Sequence, residues 1–268
     1  MNKKILAGGC SFTFGNELSD DDNGKTLSVN AWPALLAKQN DAEYTSVAKP
    51  GAGNSAIARR IFEYISSNPY DNLFVTVMWS FTSRYDWAMP RHRVLENSRW
   101  TNITPWDTSD QQGTVFKTLS TSEPKLEHWK RQRQEVKETG VGAFADALYK
   151  YAANQYHETY LSWKSIVWLQ NLLEKKKIPF MFTLADNSLF YNELKPLSEI
   201  DGLLSGLYNE IDFDRWFFFG ERCMGFNQWS LLEDYPRATS HPLDQAHEDA
   251  VKLMKEKFLK LYRGDTNV

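Results

Sequence analysis

The chain has 268 residues, of which 42% are hydrophobic and 24% are charged, and its net charge at pH 7 is −3. This composition is typical of a folded globular chain and excludes a disordered one. The slightly acidic balance offers no basic surface to nucleic acid, and no apolar run reaches the ~18 residues of a membrane-spanning helix.

The first predicted element is a buried strand over residues 3–8, which runs into a pair of glycines. Cys10, Ser11 and Thr13 follow it closely. Because functional groups in an open α/β sheet lie just beyond the carboxyl ends of the strands, we expect these side chains at the mouth of a site. An ordinary strand-to-helix turn, capped by Ser or Thr, is the alternative interpretation.

An acidic loop over residues 15–30 comes next and contains the run Asp20–Asp22. This run lacks the ligand spacing of a calcium loop, so we predict no metal site. A helix that begins near Ala31 and a strand over residues 44–48 follow the loop.

A second glycine-rich turn, residues 49–55, opens the following helix. Backbone N–H groups at such a turn suit a phosphate or a developing oxyanion, and Gly53 and Asn54 lie where the helix begins. The turn has no Gly-Lys-Ser/Thr triplet, so it is not a phosphate-binding loop of that type. A plain strand-to-helix connection is the alternative here.

The clearest buried strand is predicted over residues 72–79, where the apolar run is nearly continuous. Candidates for lining a site lie at its carboxyl end: Trp79, Ser80, Thr82, Arg84 and Trp87. An irregular insertion over residues 88–143 follows, and we expect it to cover the site.

The rest of the chain alternates between helix and strand. The predicted elements are a helix over 144–177, a strand over 178–184, a fifth strand over 216–219, and a last helix that has Pro242 in its first turn and continues to Tyr262. This alternation predicts one α/β domain over residues 1–268: a three-layer α/β/α fold around a doubly wound, mainly parallel, flavodoxin-like sheet of about five strands.

Two of the five histidines stand out by their position. A serine hydroxyl needs a base to become a nucleophile, and histidine is the usual one because its pKa is close to neutral. His241 lies in a loop just before the last helix, where functional groups are common. His247 lies within the apolar stripe of that helix, which predicts a packed, hydrogen-bonded side chain.

Four segments together resemble the SGNH (GDSL-like) hydrolase family, in the short form found in phages and marine bacteria. They are Gly9-Cys10-Ser11-Phe12-Thr13-Phe14-Gly15, Gly51-Ala52-Gly53-Asn54-Ser55, the segment after the third strand, and His241-Pro242. The resemblance implies Ser11 as the nucleophile and His241 as its base. It also implies an oxyanion hole built from the N–H groups of Ser11 and Gly53.

The chain departs from the family pattern in two places. The third block has no Asn, so Ser80 or Thr82 would have to replace that oxyanion donor. Ala238 stands three residues before His241, where the family has an Asp. We expect a backbone carbonyl, Asp234 or Asp244 to orient His241 instead.

The sequence therefore predicts a serine esterase or acyltransferase that acts on a small-molecule or glycan O-acyl ester, with Cys10, Asn54, Trp79, Arg84 and Trp87 lining its substrate site. A catalytically impaired ligand- or glycan-binding protein is the main alternative; a Cys10 nucleophile and a Rossmann-type nucleotide binder are weaker ones. We expect no cofactor, no metal, no nucleic-acid partner and no membrane partner. Two free cysteines and the lack of an export signal favour a cytoplasmic location.

Overall fold

The computed structural model describes residues 3–22, 24–89, 99–108, 140–190 and 202–263, so most of the predicted insertion lies outside the described residues. The strands are β1 (Lys4–Gly8), β2 (Glu43–Ser46), β3 (Leu73–Trp79), β4 (Tyr85–Ala88), β5 (Trp100–Ile103) and β6 (Phe180–Leu184). The α-helices are α1 (Ser11–Phe14), α2 (Trp32–Gln39), α3 (Asn54–Ser67), α4 (Val141–Tyr151), α5 (Gln155–Lys175), α6 (Gly202–Asn209), α7 (Phe226–Leu232) and α8 (Asp244–Arg263).

The central sheet has the strand order β2-β1-β3-β6, and its neighbouring strands are parallel. All seven residues of β3 are buried, as its continuous apolar run predicts for a strand covered on both faces. A separate antiparallel hairpin is formed by β4 and β5.

Helices cover both faces of the sheet. Gly8 faces Ile57 and Ile61 of α3, and it is in register with Val77 of β3. Phe74 is three residues from Val77 and therefore points to the opposite face. Its ring packs against Phe258 of α8 at a centroid distance of 5.0 Å. Since α3 packs on α5 and α8 packs on α2, the predicted three-layer α/β/α class is confirmed.

Three predicted boundaries are wrong. The fifth strand is reduced to a single parallel bridge between Trp216 and Phe182, so the described sheet has four strands. The helix predicted over 144–177 is two helices, because the Asn154 side chain accepts the His157 N–H and begins a new helix. Pro242 bridges to Arg237 and precedes α8.

No helix in the described ranges is long and apolar enough to cross a membrane.

Candidate active site

Ser11 lies at the topological switch point of the sheet. The connection that leaves β1 leads to β2 on one side, whereas the connection that leaves β3 leads to β6 on the other. In parallel sheets with such a reversal, ligands bind outside the carboxyl ends of the strands on either side of it, here β1 and β3. Ser11 begins α1, a single helical turn that ends at Gly15, whose φ of 86° suits a residue without a side chain.

The loop that precedes α8 brings His241 to the same place. A tight turn in this loop is closed by a backbone hydrogen bond, in which the Ala238 N–H donates to the His241 carbonyl at 3.0 Å. The Arg237 guanidinium donates to the Ser240 carbonyl at 2.6 Å and to Asn227 Oδ1 at 2.8 Å. These bonds fix the backbone on both sides of His241.

Ser11 and His241 are 230 positions apart in the chain, and the distance between Ser11 Oγ and His241 Nε2 is 2.7 Å. The ring of Phe12 packs edge-on against the imidazole at a centroid distance of 4.8 Å. Ser11 is only 7% exposed. The hydroxyl and the ring nitrogen are thus in hydrogen-bond contact in a partly closed site.

Glu17 binds the other side of His241, a contact that the sequence analysis missed. Its Oε2 accepts from His241 Nδ1 at 2.8 Å and from the N–H groups of Ser240 and His241 at 3.0 and 3.1 Å. Glu17 has a φ of 68°, in the left-handed region, and its own N–H donates to Asp21 Oδ2 at 2.8 Å. The acidic loop thus presents this carboxylate to the histidine.

The electrostatics of this contact fix the proton positions. Burial by itself would raise the pKa of Glu17, but the hydrogen bonds from His241 and the Ser240 N–H outweigh it and hold the pKa well below the ordinary value of 4.5. An ionised carboxylate can only accept, so the imidazole proton lies on Nδ1. The lone pair on Nε2 is then left to accept the Ser11 hydroxyl.

The aspartates expected to orient His241 lie elsewhere. Asp244 accepts from the hydroxyl of Ser19 at 2.6 Å, and Asp234 lies in the turn after α7 with a φ of 54°. The only sequence signal for Glu17 was its position, six residues after Ser11 in a loop at the same edge of the sheet.

The predicted oxyanion residues follow different elements: Ser11 comes after β1, Gly53 caps α3, and Ser80 and Thr82 come after β3. Gly53 precedes α3, and a Cβ there would lie 2.2 Å from the Arg84 carbonyl oxygen. The Ser80 N–H donates to Asn54 Oδ1 at 2.8 Å, and its hydroxyl oxygen accepts from Arg84 Nη1 at 3.0 Å in a fully buried position. Thr82 is partly exposed in the turn after β3. The oxyanion roles of Ser11, Gly53, Ser80 and Thr82 stay predictions.

The predicted lining residues divide by exposure. Cys10 and Trp79 are both 0% exposed, and Asn54 is 2% exposed, so all three are buried, and their role in lining a substrate site stays a prediction. Arg84 is partly buried beside Gly53. Trp87 is 44% exposed, on the β4–β5 hairpin.

Cys10 is fully buried in the hydrophobic core, which disfavours it as a nucleophile. In the described ranges, no three His, Cys, Asp or Glu side chains are grouped as a metal site would need.

Comparison with known proteins gives matches in structure alone. No family model matches the chain, and no curated protein matches it in sequence. The psychrotrophic esterase EstA from Pseudoalteromonas sp. is similar with 11% identity and a TM-score of 0.46, over 97% of this chain and 98% of that one. A member of the lipolytic protein G-D-S-L family from Veillonella parvula is similar with 10% identity and a TM-score of 0.43, over the same shares.

The acetyl xylan esterase Est2A from Butyrivibrio proteoclasticus is similar with 11% identity and a TM-score of 0.42, over 98% of this chain and 64% of that one. These similar structures are esterases and lipolytic proteins. Since identities are this low and the TM-scores are below 0.5, a function has to be argued from the geometry of the site.

Proposed function

We propose that this protein is a serine carboxylic ester hydrolase in which Ser11 is the nucleophile, His241 the general base and acid, and Glu17 the residue that orients His241. The supporting observation is the continuous path of hydrogen bonds from Ser11 Oγ through His241 to Glu17, with distances of 2.7 and 2.8 Å. A serine, a histidine in the correct tautomer and an ionised acid in this order are the parts that acyl transfer needs.

The reaction has two steps. His241 Nε2 takes the Ser11 proton while Oγ attacks the acyl carbon, and the imidazolium then gives that proton to the departing alcohol. Water attacks the acyl-serine in the same way, which releases the acid and restores Ser11. An alcohol in place of water would make the same site an acyltransferase.

The negative oxygen of each tetrahedral intermediate needs donors. Ser11 begins α1, and Gly53 directly precedes α3. The N–H groups at the start of a helix have no carbonyl partner within the helix, so the N–H groups of Ser11 and Gly53 are suited to bind this oxygen. The Ser80 hydroxyl is a further candidate, since it lies at the end of the neighbouring strand.

A binding protein that has lost catalysis is the weaker candidate. It would have no need for an ionised carboxylate that fixes the tautomer of a histidine. The intact path from Ser11 to Glu17 therefore favours turnover, in spite of the missing aspartate at position 238.

The test combines labelling with hydrolysis. The wild type should react with a fluorophosphonate probe at Ser11 and hydrolyse 4-nitrophenyl acetate, and Ser11→Ala should lose the label and about 10³-fold or more of kcat. Ser66→Ala, an exposed serine near the end of α3, is the matched control and should keep both. Labelling or turnover that survives in a folded Ser11→Ala variant would rule the proposal out.

A further inference from the structure

We infer, on the basis of the proposed esterase function, that the Arg84 guanidinium binds an anionic group of the substrate. The substrates would then be esters that have a carboxylate, or an anion of similar geometry, close to the acyl carbon.

Arg84 lies beside the proposed oxyanion turn. Its carbonyl oxygen and Cβ would be 2.2 and 2.9 Å from a Cβ at Gly53, so its backbone lies directly on that glycine. Its Nη1 donates to Ser80 Oγ at 3.0 Å. The guanidinium is thus held by the residue that directly follows β3, at the carboxyl edge of the sheet, where Ser11 follows β1.

The charge of Arg84 has no counter-ion in the described ranges. The guanidinium lies 4.5 Å from the centroid of the Phe81 ring, and no described carboxylate oxygen lies within 4.0 Å of it. Asp107 interacts with the charge of Arg84 only from a greater distance, as a small electrostatic effect on the pKa of Asp107. That carboxylate accepts the N–H and the hydroxyl of Thr104 at 2.7 and 2.9 Å, in its own turn.

The other arginines near the site differ from Arg84. Arg59 is paired with Asp86, and Arg237 donates to the backbone and side chains around the His241 loop. A partly buried cation without an anion is unfavourable, whereas a guanidinium offers five donors that fit a carboxylate in a fork. Described residues use one of these donors, the one that bonds Ser80.

The test uses two ester pairs that differ in charge. In the first pair, mono-4-nitrophenyl glutarate carries a carboxylate on the acyl side, and 4-nitrophenyl valerate is its neutral counterpart. In the second pair, 4-acetoxybenzoate carries the carboxylate on the alcohol side, and its methyl ester is the neutral counterpart. After subtraction of the uncatalysed rate, kcat/KM of the wild type should favour the anionic member of at least one pair by about 10-fold or more. The pair that shows this preference tells whether Arg84 binds an anion on the acyl side or on the alcohol side of the ester.

Variants assign the preference to Arg84. Arg84→Gln should lower kcat/KM for the preferred anionic ester by about 10- to 100-fold and for its neutral counterpart by much less. Arg84→Lys should keep part of the preference, because the charge remains while the fork is lost. Arg215→Gln is the matched control, since Arg215 lies near Phe180 at the opposite end of the sheet, and it should change neither rate.

The outcomes separate the two proposals. Neutral esters hydrolysed without any anionic preference, or a preference unchanged in folded Arg84→Gln, would overturn this inference and leave the esterase proposal standing. No hydrolysis of any of the four esters would overturn both.

Discussion

At the scale of single residues, the contact that decides the chemistry of the site is between Glu17 and His241. One carboxylate oxygen accepts from the imidazole and from two backbone N–H groups of the His241 loop. Glu17 therefore fixes the ring and the loop at once. It is also only six positions from Ser11, so the proposed nucleophile and the proposed acid belong to one short segment, which the His241 loop contacts.

We expect Glu17→Gln to lower kcat by about 10²- to 10⁴-fold with a smaller change in KM, because the neutral amide can no longer stabilise the imidazolium. Steady-state kinetics over pH 5–9 measure it, and the loss should hold across this range, because the low pKa of Glu17 keeps the wild-type carboxylate ionised throughout. A variant that is merely less stable would lower the number of sites that the fluorophosphonate probe labels and leave kcat per labelled site unchanged.

Asp22→Asn provides the control on the same loop. Asp22 accepts the N–H groups of Lys25 and Thr26 and does not touch His241. Its kcat and pH profile should match the wild type. Equal effects in Asp22→Asn and Glu17→Gln would contradict a specific role for Glu17.

At the scale of elements, α8 meets the start of α2 through a buried histidine. His247 is 1% exposed, and its Nδ1 accepts the Trp32 N–H at 3.1 Å, which gives that first-turn N–H a partner outside its helix. Its ring packs edge-on against Phe226 at 4.9 Å. The apolar stripe around position 247 predicted this packed role, and the structure confirms it.

This histidine makes stability depend on pH. Burial lowers the pKa of His247 from 6.5 to about 3, with a smaller effect from the nearby His241. Below pH 6.5 the unfolded chain therefore binds a proton that the native chain does not, and the free energy of unfolding falls by about 1.4 kcal/mol per pH unit. His247→Gln should show a shallower fall between pH 6.5 and 4 in urea titrations.

The exposed His157 on α5 provides the comparison, and His157→Gln should keep the slope of the wild type. A His247→Gln variant with an unchanged slope would mean that other groups cause the acid sensitivity.

At the scale of the whole molecule, the described residues form two hydrophobic clusters. The larger one surrounds the central sheet, and the smaller one lies between the β4–β5 hairpin and α4. The Arg59 guanidinium on α3 donates to both oxygens of Asp86 on β4, at 2.6 and 3.0 Å. The Asp86 side chain is only 2% exposed, so this pair joins the hairpin firmly to the sheet domain.

We expect Asp86→Asn to reduce the free energy of unfolding by about 1–3 kcal/mol, because a charged hydrogen-bond partner of Arg59 is lost. Hydrogen exchange should quicken in β4 and β5 more than in β1 and β3, since the hairpin is held by fewer contacts. Glu63→Gln removes the exposed partner of Arg59 and should cost less than about 0.5 kcal/mol. A uniform change across all four strands would contradict the local role of this pair.

Much of the architecture could be predicted because burial leaves a local pattern. The apolar runs before Gly9 and Ser80 predicted β1 and β3 almost to the residue, and the stripe of α8 predicted which side chains face the sheet. The run at 216–219 misled because aromatic residues favour strands, yet these rings pack on one another and only Trp216 bridges to the sheet.

The sequence by itself predicted the four strands of the central sheet and the two residues, Ser11 and His241, that we propose for catalysis. Only the tertiary structure showed that Glu17 supports His241, that Trp79 and Cys10 are core residues, and that Arg84 lies on Gly53. The physical reason is range. Apolar periodicity records burial within an element, whereas a hydrogen bond between residues 224 positions apart arises when separate loops meet and leaves no trace in the spacing of either.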